Sequence, residues 1–139
     1  MKPHLHRLLH ILVVLGLLCT LLPTSHVAEA VSPDVVISQV YGGGGNTGAL
    51  YTYDYIELFN RGTTTVSLSG WSVQYTSATG SGNFGSSTSL ITPLSGTIAP
   101  GQYILIQEAA GANTSLPALP TPDITDSTPI NMSGTGGKV

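Results

Sequence analysis

The sequence predicts an all-β fold, an antiparallel sandwich of short strands. Three observations lead there. Apolar and polar residues alternate with period two in short runs, most plainly in Tyr55-Ile56-Glu57-Leu58-Phe59, the pattern of a strand buried on one face. Gly, Asn, Ser and Pro interrupt such runs at intervals of roughly 8–12 residues, the spacing of sandwich turns. No stretch after residue 30 carries a helical period.

The first 30 residues stand apart. Lys2 and Arg7 precede an apolar run over 8–22, and Ala28-Glu29-Ala30 follows with small residues at the spacing a signal peptidase needs. The run of 15 residues contains His10 and falls short of the roughly 20 apolar residues that span a bilayer. Residues 1–30 therefore read as a secretory signal peptide cut between Ala30 and Val31, which leaves no transmembrane segment and places the mature chain outside the cell. Cys19 follows bulky Leu18 inside the apolar run, so a lipid anchor there is not expected.

Residues 31–139 form one domain-sized segment of 109 residues with no His and no Cys. Its only cations are Arg61 and Lys138, set against Asp34, Asp54, Glu57, Glu108, Asp123 and Asp126. With no disulfide available, packing must supply the stability.

Residues 35–40 are rich in β-branched side chains and make a first strand behind Pro33. A glycine-rich loop over 42–48 follows, and then the strand through Tyr55. Asn60-Arg61-Gly62 ends that strand in a turn expected to use positive φ. Val66 and Leu68 alternate again. Ser69-Gly70 bends the chain into Trp71, with Val73 and Tyr75 expected on the face of Trp71. Ile56, Leu58, Leu68, Trp71, Val73 and Leu105 are the expected core anchors. Residues 77–89, nearly all Ser, Thr, Gly and Ala, form a long surface loop. Short strand fragments fall at 90–91 and 96–98. Ala99-Pro100-Gly101-Gln102 has the chemistry of a type II turn. Residues 103–107 are apolar on both faces and predict a central strand covered on both sides. Residues 109–112 fit one helical turn or a tight loop. The prolines 117, 120, 122 and 129 mark a crossing loop. Residues 130–132 begin another strand, expected to turn at 135–137 and pair with 138–139 as a hairpin.

Gly43-Gly44-Gly45-Asn46-Thr47-Gly48 matches G-x-G-x-x-G in form. A dinucleotide site needs a helix after that loop, and a strand follows instead, so a phosphate role is not expected.

In this order and spacing, six stretches resemble the lamin tail domain, an immunoglobulin-like sandwich. They are Val36-Ile37-Ser38-Gln39-Val40, Asp54-Tyr55-Ile56-Glu57-Leu58-Phe59-Asn60, Leu68-Ser69-Gly70-Trp71, Ile98-Ala99-Pro100-Gly101-Gln102 with the apolar strand after it, and Ala109-Ala110-Gly111-Ala112 with Ile130-Asn131-Met132-Ser133-Gly134. The resemblance covers residues 35 to 139 and is greatest to secreted bacterial members, where such a domain often precedes a nuclease-like or phosphatase-like domain. It implies binding or attachment rather than catalysis. It also implies further strands after the last turn, so the sandwich is expected to lack C-terminal strands and to leave an unpaired edge.

The chemistry available agrees with a binding role. A nucleophilic serine needs a base, and 31–139 offers no His and no G-x-S-x-G. Zinc needs His or Cys. Asp54 and Glu57 lie three apart and so point to opposite faces of a strand, which denies a paired-carboxylate site. Asp123 and Asp126 could contribute to an oxygen-only calcium site, though solvated loop acids are the commoner case; no cofactor or metal is expected. Two cations against six anions cannot track a phosphate backbone, so nucleic acid is an unlikely partner. Tyr41, Tyr51, Tyr53 and Tyr55 are the candidate binding face, for sugars or for a protein or cell-envelope or matrix component, beside the reading that they merely cover a sheet. The 42–48 and 77–89 loops are expected to help them. Asn113-Thr114-Ser115 and Asn131-Met132-Ser133 are glycosylation sequons in form, meaningful only on a eukaryotic secretory route.

Overall fold

β-Branched and aromatic residues in 35–41 and 53–60 favour extended backbone, and the structure pairs these two runs as neighbouring antiparallel strands. The structure is a computed structural model and describes residues 34–81 and 84–139. Residues 1–30, expected to be a signal peptide, lie outside the described residues, and Val31–Val139 makes a compact unit of its own.

The strands are β1 (Val35–Tyr41), β2 (Tyr53–Asn60), β3 (Val66–Ser67), β4 (Ser72–Gln74), β5 (Thr76–Ser77), β6 (Ile91–Pro93), β7 (Thr97–Ile98), β8 (Tyr103–Ala110), β9 (Ile124–Thr125) and β10 (Gly137–Lys138). One layer is a four-stranded sheet in the order β1-β2-β8-β9. Its first two ladders are antiparallel, while β9 joins β8 in parallel after the proline-rich crossing. The other layer is a long irregular ribbon. In it β3 pairs with β7, β4 with β6 and β5 with β10, all antiparallel. Bonds from the Leu68 amide to the Gly96 carbonyl (3.0 Å) and from the Leu94 amide to the Trp71 carbonyl (2.9 Å) join the pieces. The result is an all-β, immunoglobulin-like sandwich.

Ile56, Leu58, Ile104 and Ile106 from the sheet meet Leu68, Val73, Tyr75, Leu94 and Ile98 from the ribbon, with Ile130 and Met132 closing one side. Each such aliphatic side chain stabilises the fold by about 1.5–3 kcal/mol when removed from water. Ile56, Leu58, Leu68 and Val73 are therefore core residues as expected. Trp71 and Leu105 are not.

Trp71 keeps 39% of its surface in water. Its amide donates to the Leu68 carbonyl (3.0 Å) and Gly70 takes φ +81°, so 68–71 is a turn in which Leu68 points into the core. The pleat that would have carried Trp71 inward with Val73 begins only at Ser72. Leu105 is half-buried because it sits on the outer face of β8, between Ile104 and Ile106 of the core face. Among the described residues no second sheet lies over that outer face, which Leu119 and Pro120 of the crossing loop cover only in part, so β8 is central in its sheet with a sheet layer on one side alone.

Three local expectations also change. The turn at Asn60 uses no positive φ; Asn60 Oδ1 instead accepts the Gly62 amide at 2.9 Å. Ala109 and Ala110 complete β8 rather than forming a helical turn. Residues 130–132 do not form a hairpin with 138–139, since β10 pairs with β5 across the ribbon. The turn at 99–102 is as expected: Gln102 donates to the Ala99 carbonyl at 3.1 Å and Gly101 holds φ +73°. Among the described residues no helix is long and apolar enough to cross a membrane.

Candidate functional site

Strand alternation decides which side chains reach the uncovered face of the four-stranded sheet. Along β2 these are Tyr55, Glu57 and Phe59, which alternate with Ile56 and Leu58 of the core; Tyr55 is itself buried beneath its aromatic neighbours, while Glu57 and Phe59 are half-buried. Register adds their neighbours. Tyr55 lies between Tyr41 and Gln107, Glu57 between Gln39 and Leu105, and Phe59 between Val36 and Tyr103. A bulge in β1 at Ser38 keeps Gln39 in line with Glu57, and Ser38 Oγ donates to Glu57 Oε1 at 2.6 Å.

Two aromatic groups result. Tyr41 and Tyr55 stack at 5.2 Å and 13°, and Tyr51 meets both edge-on at 5.9 and 6.3 Å. The Tyr41 hydroxyl accepts the amides of Leu50 (2.8 Å) and Tyr51 (3.4 Å), which fixes the loop carrying Tyr51. Further along, Phe59 and Tyr103 stack at 4.5 Å, and Tyr103 is 56% exposed. The structure thus brings together three of the four expected tyrosines. Tyr53 is separated from them by the register shift between Tyr53 and Tyr55 and joins no ring contact among the described residues.

Beside the tyrosines lies a cleft of about 180 Å³, lined by Gln39, Tyr51, Tyr55, Glu57, Leu105, Leu119 and Pro120. Its outer wall comes from the proline-rich loop, which Thr52 anchors by donating its amide to the Pro117 carbonyl (3.0 Å) and its hydroxyl to the Leu116 carbonyl (2.9 Å). Burial, with the nearby Tyr51, Glu57 and Tyr41 adding to it, pushes the Tyr55 phenol above its usual 10.0, so it remains a hydroxyl donor. The cleft offers hydrogen bonding and flat apolar contact, and no nucleophile with a base.

Two carboxylates inside the sandwich do structural work. Asp54 accepts the Gly44 amide on Oδ1 (2.6 Å) and the Met132 amide on Oδ2 (2.7 Å). Glu108 Oε2 accepts the Ile130 amide at 2.7 Å. Together they pin residues 130–132 against the sheet without a regular ladder. Glu108 Oε1 and Thr92 Oγ1 are both buried with no hydrogen-bond partner, although Thr92 is close enough to favour the charged carboxylate. Burial raises both acids above their usual range, and the amides they bind pull back only in part.

The middle of the glycine loop, Gly44 and Gly45, is likewise internal. Gly44 gives its amide to Asp54, and a Cβ there would lie 2.3 Å from the Tyr53 carbonyl carbon. An anion held by that amide is already supplied by the protein itself. Residues 42–43 and 46–49 do border an open cleft with Gly134 and Thr135. Asp123 Oδ2 accepts the Leu105 amide (2.8 Å), and Asp126 accepts the Ser127 amide (2.7 Å) and the Thr128 hydroxyl (3.2 Å), so both acids cap neighbouring chain.

A family model described as Lamin Tail Domain matches residues 28–137. The chain belongs to the lamin tail domain family. Neither the curated proteins nor the solved structures give a match. A lamin tail domain is an immunoglobulin-like, non-catalytic domain that commonly serves binding. Sequence reasoning missed Phe59 and Tyr103 as members of the aromatic face. Phe59 was within reach, two positions beyond Glu57 on the same alternation. Tyr103 needed the β2–β8 register. Asp54 was weighed only as a catalytic acid and Glu108 only as one of six negative charges, though an Asp directly before a buried Tyr-Ile pair in this lamin tail domain marks an internal acceptor.

Proposed function

We propose that this lamin tail domain is a secreted, non-catalytic attachment module that binds a cell-envelope or matrix component through the outer face of β1, β2 and β8. The observation that carries this is the pair of aromatic platforms and the polar cleft beside them on a sheet face that, among the described residues, no second sheet covers. In the same reading, residues 1–30 direct export and are removed before Val31. The role would be the same if the domain stood ahead of a nuclease or phosphatase domain, since attachment would then hold the enzyme in place.

Purified 31–139 should show no turnover of nucleic acids, phosphomonoesters or glycosides, with or without divalent metal, and should co-sediment with envelope or matrix material. N-terminal sequencing of exported protein should begin at Val31. Turnover that follows the domain through purification and is lost in Glu57→Gln or Asp54→Asn would replace the attachment reading with an enzymatic one.

A further inference from the structure

The geometry points to a neutral, hydroxyl-rich polysaccharide as the ligand of this face, one sugar ring seated in the Tyr51–Tyr55–Glu57 cleft and another lying on the Phe59–Tyr103 platform. This rests on the attachment reading and names the chemistry of its partner. Four observations carry it.

The cleft volume of about 180 Å³ is below the roughly 300–1,000 Å³ of pockets that enclose a drug-sized molecule, so it takes one ring of something longer. Polar capacity around it is unspent: the Tyr51 and Tyr55 hydroxyls, the Gln39 amide and Glu57 Oε2 make no hydrogen bond among the described residues, while Glu57 Oε1 is held by Ser38. Donors and a carboxylate acceptor beside an aromatic ring suit a ring that is apolar on its face and hydroxylated at its edge. The second platform is four residues along β2, about 13 Å away on the same face, which suits a linear polymer.

The fourth observation separates a glycan from a strand-adding peptide. Such a peptide gains affinity by pairing its main chain with a sheet edge. Here the cleft centres on Tyr55, Glu57 and Leu105 of β2 and β8, interior strands already paired on both sides, and the edge strand β1 lends it only Gln39. Charge narrows the class further. Glu57 is in the cleft, and the only cations of 31–139 are Arg61 in the turn after β2 and Lys138, which donates to the Gly80 carbonyl at 2.9 Å in the other layer. Within the cleft an anionic ring would meet the Glu57 carboxylate and no cationic side chain.

The test uses 31–139, a compact unit of its own, and isothermal titration with neutral hexasaccharides of glucose, xylose and N-acetylglucosamine, beside a uronic-acid hexasaccharide. Binding to at least one neutral probe, little changed between low and high salt, is expected. Tyr103→Ala should weaken it about 3- to 10-fold by removing a stacking ring, and Glu57→Gln by at least about 10-fold. Both positions are on the surface, so melting temperatures should be kept, and Trp71→Ala in the other layer should leave affinity unchanged. No binding to any neutral probe at millimolar concentration, preference for the uronic-acid probe, or binding indifferent to both face variants would each overturn the inference. Envelope material that binds through this face by a protein, with no glycan bound, would overturn the glycan and leave the attachment reading standing.

Discussion

Two substitutions that each neutralise a buried acid should have opposite effects. Asp54 uses both oxygens, one for the Gly44 amide and one for the Met132 amide. Asp54→Asn turns one acceptor into an NH₂ facing an N–H, so a charge-assisted bond of about 1.5–3 kcal/mol is lost and a buried donor stays unpaired. Relief of the burial cost on the charge offsets part of this, leaving a loss of about 2–3 kcal/mol. In a domain near 100 residues that is a fall in Tm of roughly 10–20 °C. Glu108 uses one oxygen for Ile130, and its other faces an unpartnered Thr92 hydroxyl. Glu108→Gln keeps the acceptor, offers Thr92 a donor and removes the buried charge, so it should be neutral or stabilise by up to about 1 kcal/mol. The pH dependence follows from the direction of the shift. A carboxyl whose folded pKa is raised favours folding while protonated, and that stability is lost as pH rises from its ordinary value, 4.5 for Glu108, through its folded value. Glu108→Gln should flatten that fall. Urea denaturation of 31–139 and both variants at several pH values between 4.5 and 8 measures all of this. Equal destabilisation by the two substitutions would refute the reasoning, because it would mean that Glu108 has a second partner and is held as an anion.

Other consequences are simpler to state. Ile106→Ala should cost about 2–5 kcal/mol, as a fully buried side chain leaves a cavity. Trp71→Ala should cost well under that, and tryptophan emission should show a partly hydrated indole. Chemical denaturation and fluorescence check both. Gly44→Ala should destabilise by about 1–3 kcal/mol or more, because the new Cβ meets the Tyr53 backbone, which has no room to give. At Gly70 the space is open and only the positive φ is strained, so Gly70→Ala should cost about 1–2 kcal/mol in the same assay.

Much of the fold was legible because the sheet strands carry their face assignment in the chain. Ile56 and Leu58 alternate with Tyr55 and Glu57, and Pro100-Gly101 names its own turn type. The ribbon was harder. Its strands run two or three residues, too short for alternation to be read, and the 68–71 turn resets the pleat just before Trp71. Residues 130–132 are held by side-chain carboxylates, a kind of pairing that hydrophobic pattern does not report. The aromatic face was half legible for a similar reason. Tyr41, Tyr51 and Tyr55 stand out in the sequence, but only the register sets Tyr103 beside Phe59, and only the crossing loop brings Leu119 and Pro120 to the cleft.

Attachment through the outer face is tested most directly by where the protein goes. The full chain, expressed in its source organism as the wild type and as the Glu57→Gln, Tyr103→Ala double variant, can be followed by quantitative immunoblot of envelope or matrix and medium fractions. The account predicts that wild-type protein stays with the envelope or matrix, while the double variant, equally abundant and equally stable, appears in the medium. Equal partition of the two would contradict it.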